Sequence, residues 1–146
     1  MPGFFAAASV PPRGYDAGMS VGIVLVSHSA DLAAGLRDLL RQVAGDTVAV
    51  TVAGGSDDGG LGTSYDLIRD AVGEAASGDG VVVLPDLGSS VLTARALLDE
   101  HPDARVRLVD APFVEGAVAA AVIAATGADL DTVASAAEEA WHARKL

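Results

Sequence analysis

Two rhythms of apolar and polar positions run along the chain, and the switches between them divide it into elements. Val21-Gly22-Ile23-Val24-Leu25-Val26 is a continuous apolar run rich in Val and Ile, which predicts a buried strand. It stops at Ser27-His28-Ser29, and a helical pattern follows over residues 31–43. A second strand is predicted over residues 47–53, running into a glycine-rich loop that reaches Ser64. Leu67, Ile68, Ala71, Val72 and Ala75 form a helical stripe, predicting a helix over residues 64–76. Residues 80–84 read as a third buried strand, followed by Pro85-Asp86-Leu87-Gly88-Ser89-Ser90 and a helix over residues 91–100. His101-Pro102-Asp103 breaks that helix. A strand over residues 106–109, the turn Asp110-Ala111-Pro112, and helices over residues 114–126 and 129–143 complete the pattern. Alternating strands and helices predict an α/β fold: a single doubly wound domain with a mainly parallel sheet covered on both faces.

Composition narrows this further. The 146 residues allow one domain with a real core. Because the chain is 51% hydrophobic but only 4% aromatic, that core is built from Ala, Val, Leu and Ile. Gly, Asp, Arg or Ser interrupts every apolar stretch short of the roughly 20 residues a membrane helix needs. The absence of cysteine excludes disulfides, Cys-based zinc sites and thiol catalysis, and it fits a reducing cytoplasm. A formal net charge of -11 repels phosphate backbones, so nucleic acid is not an expected partner. The same charge favours a partner with a basic docking face. Residues 1–18 differ in character from the rest and contain no basic n-region, so they do not read as a signal peptide. They are expected to be a disordered tail, or a mis-assigned start with translation beginning at Met19. The domain is assigned to residues 19–146.

His28 falls at the carboxyl end of the first strand, where open α/β sheets place their chemistry. The loops after the strands share that edge, and three of them carry groups suited to phosphate. The first holds Ser27, His28 and Ser29; the second closes with Thr63 and Ser64; the third holds Asp86, Gly88, Ser89 and Ser90. Helix amino termini supply unpaired N–H groups for an anion, and glycine lets the backbone approach it. The glycine loop has no lysine and matches neither the P-loop nor the dinucleotide pattern. Its Asp57-Asp58 pair would repel a nucleotide's phosphates unless a cation intervened. A single phosphoryl group carried on the protein is the better reading. A neutral imidazole offers one lone pair near pH 7, and Asp86 is the candidate to bond the other ring N–H and fix the tautomer. His101 reads as a solvated turn residue and His142 as a cation complementing a helix end. The histidines are not at metal-ligand spacing, so no metal is assigned. The nearly all-apolar helix after Pro112 belongs either to the core or to a subunit interface, which makes a homodimer a reasonable expectation.

Four segments occur in order: Gly22-Ile23-Val24-Leu25-Val26-Ser27-His28-Ser29, the loop from Ala53 to Ser64, Asp86-Leu87-Gly88-Ser89-Ser90, and Ala111-Pro112-Phe113-Val114-Glu115-Gly116-Ala117. Together they resemble the DhaM family, the phosphotransferase subunits of PEP-dependent dihydroxyacetone kinases, whose domain has the mannose-type EIIA fold of the phosphotransferase system. The resemblance covers the chain from Val21 onward. It implies that the phosphocarrier HPr donates a phosphoryl group, derived from phosphoenolpyruvate, to His28. It further implies transfer to ADP held tightly by DhaL, and use of the ATP to phosphorylate dihydroxyacetone bound covalently to DhaK. ADP and ATP would then belong to the partner, with no cofactor bound permanently here. By the same resemblance Asp86 accompanies the active histidine, and the subunit is dimeric.

Some family members continue into HPr-like and enzyme I-like domains. For a chain ending at Leu146, the expectation is a separate HPr. Here Pro85 precedes the aspartate and stiffens the approach to it. Two alternatives stand beside this reading. A mannose-type sugar-transport EIIA delivering to a membrane-associated EIIB shares fold and chemistry, although Gly62-Thr63-Ser64 and the segment from Pro112 to Gly116 favour the kinase subunit. A non-catalytic flavodoxin-like regulatory module is the alternative from a different class.

Overall fold

In a computed structural model, which describes residues 20–146, the four apolar segments form strands β1 (Gly22–Ser27), β2 (Val50–Gly54), β3 (Val81–Pro85) and β4 (Val106–Leu108). The reading of residues 1–18 as a tail or mis-assigned start lies outside the described residues. Between and after the strands run helices α1 (Ala30–Ala44), α2 (Tyr65–Ala75), α3 (Gly88–Glu100), α4 (Phe113–Ala124) and α5 (Leu130–Glu139), then a 3-10 turn at Ala140–His142. The sheet order is β2-β1-β3-β4, and every pairing is parallel. The expected doubly wound α/β domain is what forms.

Strand alternation sorts the core into two layers. Ile23 and Leu25 of β1, with Val82 and Leu84 of β3, pack against Leu36 and Leu40 of α1 and against α4 and α5. Val24 and Val26, with Val81 and Val83, face Ile68 and Val72 of α2 and Ala94 and Leu97 of α3. The contribution of α4 to the core is Ala117, Ala120, Ala121 and Ala124, all fully buried. Such small side chains let the helix lie close to the sheet, so the core closes without aromatic bulk.

Three boundaries differ from the sequence pattern by three residues or more. β2 begins at Val50 rather than at residue 47, because the ladder with β1 starts where Ile23 pairs with Val50. α3 begins at Gly88 rather than at residue 91, which turns Gly88-Ser89-Ser90 from loop into the first helical turn. The last helix ends at Glu139 and tightens into the 3-10 turn instead of continuing to residue 143. Among the described residues no helix is long and apolar enough to cross a membrane.

Candidate functional site

The site is created by strand register. Val26 of β1 is the partner of Pro85 of β3, so the residues that follow each strand emerge side by side at the carboxyl edge of the sheet. Pro85 has no N–H to offer, and the next ladder bond runs from the Asp86 N–H to the Val26 carbonyl at 2.9 Å. His28 and Asp86, 58 residues apart in sequence, thereby become neighbours.

Five donors converge on the Asp86 carboxylate. Oδ2 accepts from the Ser27 hydroxyl at 2.9 Å and from the His28 backbone N–H at 3.0 Å. Oδ1 accepts from the Ser90 hydroxyl at 2.8 Å, from the Leu87 N–H at 2.7 Å and from His28 Nδ1 at 2.9 Å. The Asp86 side chain is only 7% exposed, against 23% for the imidazole. Burial by itself raises the carboxyl pKa. The bonds from the His28 N–H, the Ser90 hydroxyl, the His28 ring and the Ser27 hydroxyl outweigh it and hold the pKa at about 2. An ionised carboxylate only accepts, so Nδ1 carries a proton, and in the neutral ring Nε2 keeps its lone pair. The Ser89 hydroxyl lies against Nε2, where it donates to the lone pair of the neutral ring.

The surrounding loops hold this pair in place. Ser29 caps α1, its hydroxyl accepting from the Leu32 N–H at 3.2 Å. The glycine loop is pinned to the active strand by bonds from the Gly55 N–H to the Ser27 carbonyl and from the Gly62 N–H to the His28 carbonyl, each 3.0 Å. At Gly54 a Cβ would lie 2.6 Å from Ala30 Cα and 3.0 Å from the Ser29 carbonyl oxygen, so only glycine allows β2 to end so close to the His28 turn. Thr63 and Thr93 share a hydroxyl bond of 2.9 Å, and Thr93 also donates to the Ser89 carbonyl at 3.3 Å. The loop is thus tied to the helix that carries Ser89.

The structure brings together Ser27, His28, Asp86, Ser89 and Ser90. The hydroxyls of the other sequence candidates are engaged elsewhere. Ser64 is buried, caps α2 through the Leu67 N–H at 3.1 Å, and donates to Asp57. The Thr63 hydroxyl is engaged with Thr93, and that of Ser29 with its cap. Gly88 opens α3, whose N-cap Leu87 supplies no side-chain bond, so this amino terminus faces the site without a competing cap. Asp57 and Asp58 are bonded within their own loop by Ser64 and Ser56. Sequence reasoning missed Thr93. Its spacing of four from Ser89 would have revealed it once the helix start was placed at Gly88. A cavity of about 330 Å³ also adjoins the site, lined by Asp86, Leu87, Gly88, Val91, Arg95 and Trp141 among others.

Comparison with known proteins places this arrangement. Residues 22–134 match the EIIA-man family, described as PTS system fructose IIA component. The phosphoryl donor subunit DhaM of the PEP-dependent dihydroxyacetone kinase of Pantoea ananatis is 43% identical over 131 residues, covering 86% of this chain and 28% of the relative. The corresponding subunit of kinase 2 of Listeria innocua is 39% identical over 105 residues, covering 70% of this chain and 84% of the relative. The DhaM subunit of Lactococcus lactis, from a PTS-dependent dihydroxyacetone kinase, is 35% identical over 115 residues, covering 79% and 91% respectively. A crystal structure of a protein of unknown function superposes with a TM-score of 0.75 at 34% identity, covering 83% of this chain and 95% of that one. A sigma-54 interaction domain protein from Enterococcus faecalis shares the fold, with a TM-score of 0.66 at 16% identity, covering 86% and 93%. The chain belongs to the EIIA-man family and, within it, to the DhaM-type phosphoryl donor subunits. It spans 28% of the length of the Pantoea relative.

Proposed function

We propose that the chain carries a phosphoryl group on His28 for a PEP-dependent dihydroxyacetone kinase. The observation that carries this reading is the 2.9 Å contact between His28 Nδ1 and Asp86 Oδ1, which leaves Nε2 as the nucleophile. In the first step the Nε2 lone pair attacks the phosphorus of phospho-HPr, and the bond to the donor's ring nitrogen breaks with its electron pair. The Nδ1 proton stays on its nitrogen, and Asp86 balances the charge on the phosphorylated ring. In the second step a terminal phosphate oxygen of ADP, held by DhaL, attacks the same phosphorus and Nε2 leaves. The ATP so formed phosphorylates dihydroxyacetone on DhaK. Both steps rely on positioning and charge stabilisation.

Ser89 is the hydroxyl placed to follow the phosphoryl group, since it already lies at Nε2. The uncapped start of α3 at Gly88 offers backbone N–H groups to its oxygens. Curated relatives named as phosphoryl donor subunits of dihydroxyacetone kinases favour this role over delivery to a sugar-transport EIIB. The polarised imidazole argues against a non-catalytic module. Val114 and Val122 of α4, with Leu39 and Val43 of the adjoining α1, stay exposed, which supports a homodimer through this face. A cytoplasmic setting follows from the donor proposed.

Labelled phosphoenolpyruvate, enzyme I and HPr test the reading. An acid-labile, base-stable label that is lost in His28→Ala is the expected result. No label on the wild type, with HPr confirmed active, refutes it.

A further inference from the structure

Three serine hydroxyls around His28 sit in quite different surroundings. Ser27 and Ser90 are fully buried, whereas Ser89 is exposed. Each buried hydroxyl donates to a different oxygen of Asp86, Ser27 to Oδ2 at 2.9 Å and Ser90 to Oδ1 at 2.8 Å. A phosphoryl group delivered by a docked protein arrives at Nε2 from the open side, where Ser89 lies, and the buried pair sits behind the carboxylate.

We propose that Ser27 and Ser90 are positioning residues, whose hydroxyls lock the Asp86 carboxylate so that His28 is held in the tautomer with a free Nε2. The proposal rests on the reading of His28 as the phosphoryl carrier. The direction of each hydroxyl proton follows from its neighbours. The Ser27 oxygen accepts from the Ser29 N–H at 3.0 Å, which leaves its single proton for Asp86. The Ser90 oxygen lies 3.2 Å from Nδ1 while its proton goes to Asp86. Nδ1 therefore faces two acceptors, the carboxylate and the Ser90 oxygen, and both favour a proton on that nitrogen.

The carboxylate plane is fixed in the same way. Unconstrained, its two oxygens exchange by rotation about the terminal side-chain torsion. Here Oδ2 is held by Ser27 and the His28 N–H, and Oδ1 by Ser90 and the Leu87 N–H. Rotation breaks bonds on both sides, so the ring that leans on Oδ1 keeps its orientation. The start of α3 at Gly88 is essential to this. One helical step separates Ser89 from Ser90 and turns one hydroxyl toward solvent and the other inward.

The test compares Ser27→Ala, Ser90→Ala and the double variant in two ways. The first is the His28 tautomer by ¹⁵N NMR on unphosphorylated protein. The second is labelling from phospho-HPr, resolved into kcat and KM. Loss of a hydrogen bond to a charged group predicts a kcat lower by about tenfold for each single variant, with KM for phospho-HPr unchanged and a new fraction of ring protonated at Nε2. Ser27→Thr, which restores the hydroxyl, should recover most of the kcat lost in Ser27→Ala. Wild-type tautomer and kcat in both single variants overturn the proposal, as does a raised KM with unchanged kcat, which would place these hydroxyls on the donor or its phosphoryl group. The single variants decide the matter if the double variant fails to fold. If wild-type protein takes no label at all, the carrier reading falls, and the tautomer measurement still decides whether the serines position the ring.

Discussion

His28 Nδ1 and Asp86 Oδ1 lie 2.9 Å apart, across a strand pair whose register brings both to the same edge of the sheet. The carboxylate has four further donors, so it acts as a fixed acceptor and the ring's second nitrogen faces outward. Replacing it by the near-isosteric amide removes that polarity, because an amide nitrogen can donate to Nδ1 and draw the proton to Nε2. Asp86→Asn is therefore expected to fold and to accept phosphate from phospho-HPr at least about a hundredfold more slowly. Single-turnover labelling, with circular dichroism as the check on folding, measures this.

The Asp86 pKa, lowered from 3.8 to about 2, links this site to stability. A carboxylate whose folded pKa is depressed contributes stability that is fully present above its unfolded pKa and disappears as pH falls through the folded value. The contribution is on the order of 2 kcal/mol. It should be constant from neutral pH to about pH 5 and vanish between about pH 4 and pH 2. Urea unfolding of wild type and Asp86→Asn across that range should show the stability difference shrinking toward the acid end.

Gly54 reaches the His28 turn more closely than any side chain permits, with a Cβ placed 2.6 Å from Ala30 Cα. Gly54→Ala must push β2 away from the start of α1. A loss of about 1–3 kcal/mol is expected, in line with overpacked positions elsewhere, together with slower labelling because Gly55 and Gly62 hold the Ser27 and His28 carbonyls. Denaturant midpoints and labelling rates of the same preparation report both effects.

The Thr63–Thr93 hydroxyl pair ties the glycine loop to α3 at 2.9 Å. Thr93→Val keeps the shape and removes the bond. Global stability should change by only about 1 kcal/mol, whereas the loop amides near residues 59–63 should exchange with solvent faster. Native-state hydrogen exchange separates the two.

Trp141 is the chain's single tryptophan. It lines the cavity that begins at Asp86 and Leu87, and its indole N–H donates to the Asp110 carbonyl at 3.0 Å. A partner docked on His28 is expected to reach this cavity, whose lining includes Asp86. Tryptophan-free HPr added to the protein should shift the Trp141 emission in a saturable way, and an unchanged spectrum at saturating HPr would place the donor elsewhere.

The residues by themselves determined the order of strands and helices, the two-faced core and the candidates at the strand ends. These depend on local periodicity and on side-chain type, and both are written along the chain. His28 after an apolar run and Asp86 after another could be singled out for that reason. Tertiary structure alone decided what each hydroxyl does. β1 pairs with β3 as well as with β2, and that register, absent from any periodic pattern, sets His28 against Asp86. The start of α3 at Gly88 then separates Ser89 from Ser90, one to the ring's open nitrogen and one to the buried carboxylate. Hydroxyls of one chemical kind were equivalent in sequence. Burial and the direction of neighbouring donors made them different, because a hydroxyl has a single proton and its surroundings choose where that proton points.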